Sequence, residues 1–309
     1  MTATGITLSG SSAGNYQLSS TTATTTANIT PATPTLTWTN PAAITYGTAL
    51  SSTQLNATAS VQGSFAYNPV SATVLGAGIQ TLFTTFTPSD TTDYYTASAS
   101  VTISVATAGS SVALVSNNNP STYNAPVTFT ATVTGNPAGP ATPSGTVSFY
   151  NGPTLIGSNI ALSAGVATNP PIATLPGGTD SITASYSGDA NYAPSTSPVL
   201  VQSVSPVITG LSLPQGPPQM GFVITGQGFG SGGTVWIQFT DGLYDNLPLV
   251  PGTAWSSTSL SVQIPPGATQ ASGNIVVTAG GNANGAGGVN SVTNNPAFTI
   301  TAGFGCSAQ

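Results

Sequence analysis

No lysine, arginine or histidine occurs anywhere in these 309 residues, and no glutamate; all six acidic residues are aspartate. Without imidazole there is no side chain to shuttle protons near neutral pH. Without ammonium or guanidinium groups nothing can clamp a phosphate or neutralise a nucleic acid backbone, so nucleic acid is excluded as a partner. A serine nucleophile would have no histidine or lysine base, and a Schiff base has no amine. Metal-assisted hydrolysis needs histidine, cysteine or clustered acids. Only a carboxylate pair could act, as in glycosidases or aspartic proteases. The aspartates are scattered in turn-like contexts, and no Asp-Thr-Gly or Asp-Ser-Gly triplet occurs. The expectation is a protein that is not an enzyme, with no catalytic and no cofactor-binding residues. A single cysteine, Cys306, rules out an intrachain disulfide and leaves two readings, a tail thiol or an intermolecular bridge. No apolar run approaches 18 residues, so no membrane insertion is expected. The opening Met1-Thr-Ala-Thr lacks the basic and apolar regions of a signal peptide.

The same scarcity of charge shapes solution behaviour. Only the amino terminus and Cys306 titrate between about pH 6 and 9. In acid the aspartates neutralise without side-chain cations accumulating, which predicts unusual acid tolerance. Proteases that require a basic residue at the cut site find none. Both properties suit a long-lived protein outside the cell.

What the chain does contain is punctuation and alternation. Its 36 glycines and 25 prolines break it into short segments, and its 39% hydrophobic content is spread thinly, enough for several small cores. Val127, Phe129, Ala131 and Val133 alternate with threonine. Val147 and Phe149 alternate likewise, as do Ile182, Ala184 and Tyr186, and Val101, Ile103 and Val105. Period two marks half-buried antiparallel strands. Asn151-Gly152 after a strand is a two-residue hairpin signal. No stretch has a period near 3.6, so almost no helix is expected. The predicted fold class is all-β: tandem sandwiches in an extended array.

A longer pattern repeats. Asn or Asp, then tyrosine, then a Thr/Ser-rich strand appears around Tyr16, Tyr94 and Tyr192, spaced 78 and 98 residues apart. That is a domain-sized period. A tyrosine entering a late strand can bury its ring and bond its hydroxyl across a sandwich corner. The boundaries that follow are residues 1–30, terminal strands of a preceding repeat or a donor-strand segment; 31–106; 107–204; 205–302, of different pattern; and a tail, 303–309.

Residues 31–106, with TPTLTWTNPAAITYGTAL and TPSDTTDYYTASASVTISV, resemble Ig-like repeats of very large secreted bacterial proteins of acidobacterial type. Residues 107–204 carry PSGTVSFYNG and ASYSGDANYAPSTS and resemble the bacterial Ig-like repeat with GTVTFYDG and ASYSGDANY hallmarks. Residues 205–302, with VITGQGFG and AWSSTSLSVQIPPGA, resemble the IPT/TIG domain. These resemblances imply Ig-like β-sandwiches serving as spacers, stalks or adhesive arrays at cell surfaces. The DNA-binding role of some IPT/TIG domains does not carry over to a chain without cations.

Asp90 and Asp93 in PSDTTDYY, Asp189 in SGDANY, and Asp241 and Asp245 in TDGLYDN are the residues that could hold calcium. Calcium wants six to eight oxygens, so two carboxylates make a weak site; turn chemistry explains the same residues, because Asp bonds the amides that follow it. Trp38, Trp236 and Trp255 could form a sugar-stacking face or belong to cores, with Trp236 pointing opposite Val235 and Ile237. Lys–Asn isopeptide staples are excluded. Thr–Gln ester staples are chemically allowed, but no spacing selects a pair. Asn28 and Asn56 head sugar-acceptor sequons, and the Ser/Thr surface could carry O-linked sugars.

Residues 1–30 hold one or two strands with no sheet of their own. An isolated pair is unstable in water, and an unpaired edge attracts another strand. Three accounts remain open: a cut array, folding back onto residues 31–106, or donation to a neighbouring copy. The expected function is therefore an extracellular or cell-surface stalk or filament subunit that self-associates head to tail. The alternative is an adhesin or carbohydrate-binding module that takes glycans or cell-surface polymers on Trp/Tyr faces.

Overall fold

The computed structural model describes residues 1–239, 244–266, 268, 271–279, 289–290 and 297–300. Among them there is no α-helix, only strands, turns and one 3-10 turn at Ala13–Asn15. The molecule is a set of tandem immunoglobulin-like β-sandwiches. It divides into two compact bodies, residues 1–44 with 49–105, and 45–48 with 106–309.

In the first body, β1 (Thr2–Thr4) and β2 (Thr22–Thr24) form a two-stranded antiparallel sheet with Thr2 opposite Thr24, and all six residues are exposed. The sandwich that follows comprises β3 (Leu36–Thr37), β4 (Ile44–Thr45), β5 (Thr58–Ala59), β6 (Gly63–Asn68), β7 (Gly78–Pro88) and β8 (Ala97–Ala106). One sheet pairs β3 with β5; the other runs β4-β8-β7-β6. Period two holds as expected: Leu82 and Phe86 on β7, and Val101, Ile103 and Val105 on β8, point into the core.

The second body contains two sandwiches. Strands β9 (Gly109–Ser116), β10 (Ser121–Thr122), β11 (Phe129–Asn136), β12 (Thr146–Asn151), β13 (Thr154–Ala161), β14 (Val166–Thr168), β15 (Gly178–Tyr186), β16 (Ser195–Thr196) and β17 (Leu200–Ser205) build the first of them. Its sheets run β14-β11-β9 and β10-β17-β15-β12-β13. Phe129, Ala131, Val147, Phe149, Ile182 and Ala184 are all fully buried between the sheets. Each such phenylalanine contributes roughly 1.5–3 kcal/mol of burial free energy.

The other sandwich comprises β18 (Val207–Leu211), β19 (Gln215–Gly216), β20 (Gly221–Gln227), β21 (Gly233–Phe239), β22 (Tyr244–Asn246), β23 (Ser259–Gln263), β24 (Ala271–Ala279), β25 (Val289–Asn290) and β26 (Ala297–Ile300). Its sheets, β18-β20-β23 and β19-β26-β24-β21-β22, repeat the preceding order strand for strand, although its sequence pattern differs. In both, a two-residue strand near the start runs parallel to the last strand: Ser121 faces Val204, and Gln215 faces Thr299. The last strand therefore has partners on both sides. The two sandwiches meet through Asn124, whose amide donates to Gln227 Oε1 at 2.9 Å, and through two glycines. A Cβ on Gly177 would lie 1.6 Å from the Gly228 carbonyl oxygen, so only glycine permits that approach.

Two expectations need correction. The hairpin turn after β12 falls on Gly152-Pro153, since Asn151 is still paired with Thr154. The tyrosine repeat holds at two of its three positions. Ala32 brackets Tyr94, accepting the Tyr95 N–H and donating to the Asp93 carbonyl; Ala108 does the same around Tyr192 with Ala193 and Asn191. Tyr16 is 73% exposed, because β1 and β2 offer no second sheet against which its ring could pack.

Candidate functional site

The most unusual chemistry in the second body lies inside a sheet. On β15 the inward positions are Gly178, Asp180, Ile182, Ala184 and Tyr186, so the alternation that buries Ile182 also buries Asp180. On β17 the same logic buries Gln202 beside Val204. Asp180 and Gln202 are direct cross-strand partners, which puts their Cβ atoms about 4.5–5.5 Å apart. Asp180 is 5% exposed and Gln202 fully buried.

Their hydrogen bonding is incomplete. Asp180 Oδ1 accepts from the Asn151 amide at 2.7 Å, while Oδ2 has no partner. Gln202 Nε2 donates to the Asn118 carbonyl at 2.8 Å and the Ser203 carbonyl at 3.0 Å, and lies 3.3 Å from Ser121 Oγ. Gln202 Oε1 has no partner. Two buried acceptors on paired positions thus lack a donor, and the chain has no side-chain cation to supply one. Burial pushes the Asp180 carboxyl above its ordinary value, and the Asn151 amide draws it only part of the way back. A carboxylic acid there can donate to a carbonyl, which an ionised one cannot. Asn119 closes the adjoining edge, donating to the Val201 carbonyl at 2.7 Å and accepting the Ser203 N–H at 3.0 Å. Asp180, Gln202 and Ser121 were not singled out from the sequence. Extending the Ile182–Tyr186 alternation back one step would have found the aspartate.

Of the residues considered for calcium, Asp189 and Asp90 bond the amides of their own turns. Asp189 Oδ1 accepts the Asn191 and Tyr192 N–H groups at 2.8 Å each, and Oδ2 accepts the Ser144 N–H at 2.8 Å and hydroxyl at 2.9 Å. Partial burial pushes its pKa up, but these bonds, led by the Ser144 amide, outweigh it and hold the carboxyl below its usual range. Its oxygens are thereby committed. Asp90 Oδ1 accepts the Thr92 and Asp93 N–H groups at 3.0 and 3.1 Å. Asp93 contributes its carbonyl to Ala32. Asp245 pairs through its backbone with Ile237. Asp241 and Cys306 lie outside the described residues. Among the described residues no three His, Cys, Asp or Glu side chains cluster as metal ligands.

Tyr192 is the corner the repeat foretold. Its ring is 2% exposed, its hydroxyl donates to the Ala141 carbonyl at 2.9 Å, and it accepts the Gly139 N–H at 2.9 Å. The tryptophans are half-buried, and each indole N–H is used internally: Trp38 on the Gln54 carbonyl, Trp236 on Thr234 Oγ1, Trp255 on the Phe229 carbonyl. Trp236 points opposite buried Val235 and Ile237, as the alternation requires. An open groove of about 540 Å³ beside β9 presents Ser111, Thr132 and Thr134 with Leu114 and Val199, and its walls contain no aromatic ring.

Residues 114–205 match the family described as bacterial Ig-like domain (group 3). No curated protein matches the chain. Among solved structures, the titin domains I67–I69 variant is 11% identical, with 87% of this chain and 98% of that one covered and a TM-score of 0.31. Sidekick-1 immunoglobulin domains 1–5 are 12% identical at a TM-score of 0.26, over 87% of this chain and 58% of theirs. SGBP-B of the Bacteroides ovatus mixed-linkage glucan utilization locus, in complex with a mixed-linkage heptasaccharide, is 10% identical at 0.24, over 87% and 70%. The chain therefore spans little more than half of the Sidekick-1 fragment, and 26% of the Bacillus clarkii Gamma-CGTase that it also matches. At these TM-scores the overlays carry no argument about function. No helix among the described residues is long and apolar enough to cross a membrane.

Proposed function

We propose that this protein is a non-catalytic extracellular structural protein, a stalk or filament subunit that self-associates head to tail by β-strand addition. The observation that carries the reading is the β1–β2 hairpin: among the described residues each strand pairs only with the other, every residue in both is exposed, and no charged residue or proline lies in either. Such edges are templates for a further strand. The receiving edge is β13, which ends its sheet, is eight residues long and carries neither charge nor proline. The parallel pairing of an early and the last strand in two sandwiches supports the mechanical part, because tension along the chain loads that pair in shear. The division into 1–30, 31–106, 107–204, 205–302 and 303–309, the IPT/TIG character of the fourth piece and a source among large secreted repeat proteins belong to this proposal.

The test compares the full chain with a variant lacking residues 1–30 by electron microscopy and light scattering. The full chain forms filaments or concentration-dependent oligomers, and the deletion is monodisperse. A full chain that stays monomeric at every concentration refutes self-association. The carbohydrate-binding alternative rests on the groove beside β9, whose hydroxyls could meet a glycan. It lacks the stacking ring that sugar faces favour, and a glycan array without binding would remove it.

A further inference from the structure

We propose that Ser121 and Gln202 form an intramolecular ester that covalently joins an early strand of the 107–204 sandwich to its last strand. Three placements meet there. Ser121 Oγ lies against the Gln202 carboxamide and accepts a hydrogen bond from its nitrogen at 3.3 Å, which places the hydroxyl beside the group it would attack. The Ser203 carbonyl receives both the Ser121 hydroxyl, at 3.4 Å, and the Gln202 N–H, at 3.0 Å, and so holds nucleophile and leaving group together. Asp180 stands opposite Gln202 with one oxygen unpartnered, while the carboxamide oxygen is also unpartnered.

A proton on Asp180 Oδ2, donated to Gln202 Oε1, satisfies both oxygens. It also polarises the carbonyl toward attack and stabilises the negative charge that develops on Oε1. Ser121 Oγ then adds to Gln202 Cδ, its proton passes to the carboxamide nitrogen, and the C–N bond breaks. The Ser121 O–C(=O) bond forms, and one ammonia leaves. No oxidant, reductant or metal is required. Loss of ammonia makes the step effectively irreversible, and the complete burial of Gln202 shields the ester from water.

The partners lie 81 positions apart in sequence, on strands β10 and β17, which run parallel to each other. An ester there would withhold almost the whole sandwich from extension under load. Threonine abundance pointed sequence reasoning toward Thr–Gln pairs; the fold instead brings a serine to the glutamine. This inference does not depend on strand addition, since the bond lies within one chain.

Intact mass spectrometry of the purified, folded full chain tests it. The expected mass is one ammonia below that of the sequence, with the deficit mapping to joined peptic peptides that contain Ser121 and Gln202. Hydroxylamine should separate those peptides. Ser121→Ala and Gln202→Ala should each abolish the joined peptides while circular dichroism remains that of a β protein. Asp180→Asn should slow their appearance after refolding. Ser110→Ala, outside the cluster, should leave them unchanged. The sequence mass in folded wild-type protein overturns the proposal. So does a deficit that maps to a succinimide at Asn151-Gly152, or joined peptides that persist in Ser121→Ala.

Discussion

Replacing Tyr192 by phenylalanine isolates the corner from the core. The ring stays, so burial and packing are retained. The change removes one hydrogen bond to the Ala141 carbonyl and one from the Gly139 N–H, both 2.9 Å long. Ala141 is exposed and its carbonyl can turn to water; the half-buried Gly139 N–H is harder to satisfy. At about 0.5–1.5 kcal/mol net per bond, the expected loss is about 1–2 kcal/mol. For a sandwich near 100 residues that lowers its transition by roughly 5–15 °C. Tyr192→Ala also empties the ring site and should cost about 3–5 kcal/mol. The measurement is differential scanning calorimetry of the full chain, with hydrogen exchange in β15 and β17 assigning the transition to this sandwich. Tyr16→Phe is the control, because Tyr16 is 73% exposed and has no corner to close; it should stay within about 0.5 kcal/mol of wild type. If Tyr192→Phe also lies within that margin, the tyrosine repeat marks ancestry of the pattern and not a corner that holds the fold.

Two acids of the same sandwich, Asp180 in the interior and Asp189 in a turn, have opposite pH signatures. Asp189, with its pKa held down, adds stability that is lost as pH falls through its folded value. Asp180, with its pKa raised, adds stability that is complete below the ordinary carboxylate value of 3.8 and is lost as pH rises through its folded value. Stability of this sandwich should therefore peak in mild acid, near the ordinary carboxylate pKa, and Asp180→Asn should flatten the limb above the peak, whose slope is at most about 1.4 kcal/mol per pH unit; denaturant titrations across pH read both limbs, and an unchanged limb in the variant refutes the assignment. Asp189→Ala frees four donors of the Ser144 and Asn191-Tyr192 turns and, discounted for their partial exposure to solvent, should cost about 1–3 kcal/mol by the same titrations; a smaller loss would return Asp189 to the list of residues free for a cation. Calcium added to the wild-type chain should give neither heat nor thermal shift, and a saturable heat would contradict the commitment of the Asp189 oxygens to amides.

Much of the architecture was legible from period two alone. Every strand read from Val127–Val133, Val147–Phe149, Ile182–Tyr186 and Val101–Val105 buries the residues it was expected to bury, because alternation reports one wet and one dry face without reference to distant sequence. The turn role of Asp90 and Asp189 was readable too, since each bonds amides two and three residues on. Tyr16 escaped local reading: its motif matches those of Tyr94 and Tyr192, and what differs is whether a second sheet stands behind it.

By itself the sequence determined which chemistry is absent and which residues face inward, since both follow from side-chain type and two-residue spacing. The meeting of Asp180, Gln202 and Ser121 depended on strand order and register: β15 beside β17 in antiparallel pairing, and β10 beside β17 in parallel. Residues 81 positions apart have no local pattern to link them. Only the closing of the sheet around the last strand brings a hydroxyl, a carboxamide and a buried acid into one dry volume.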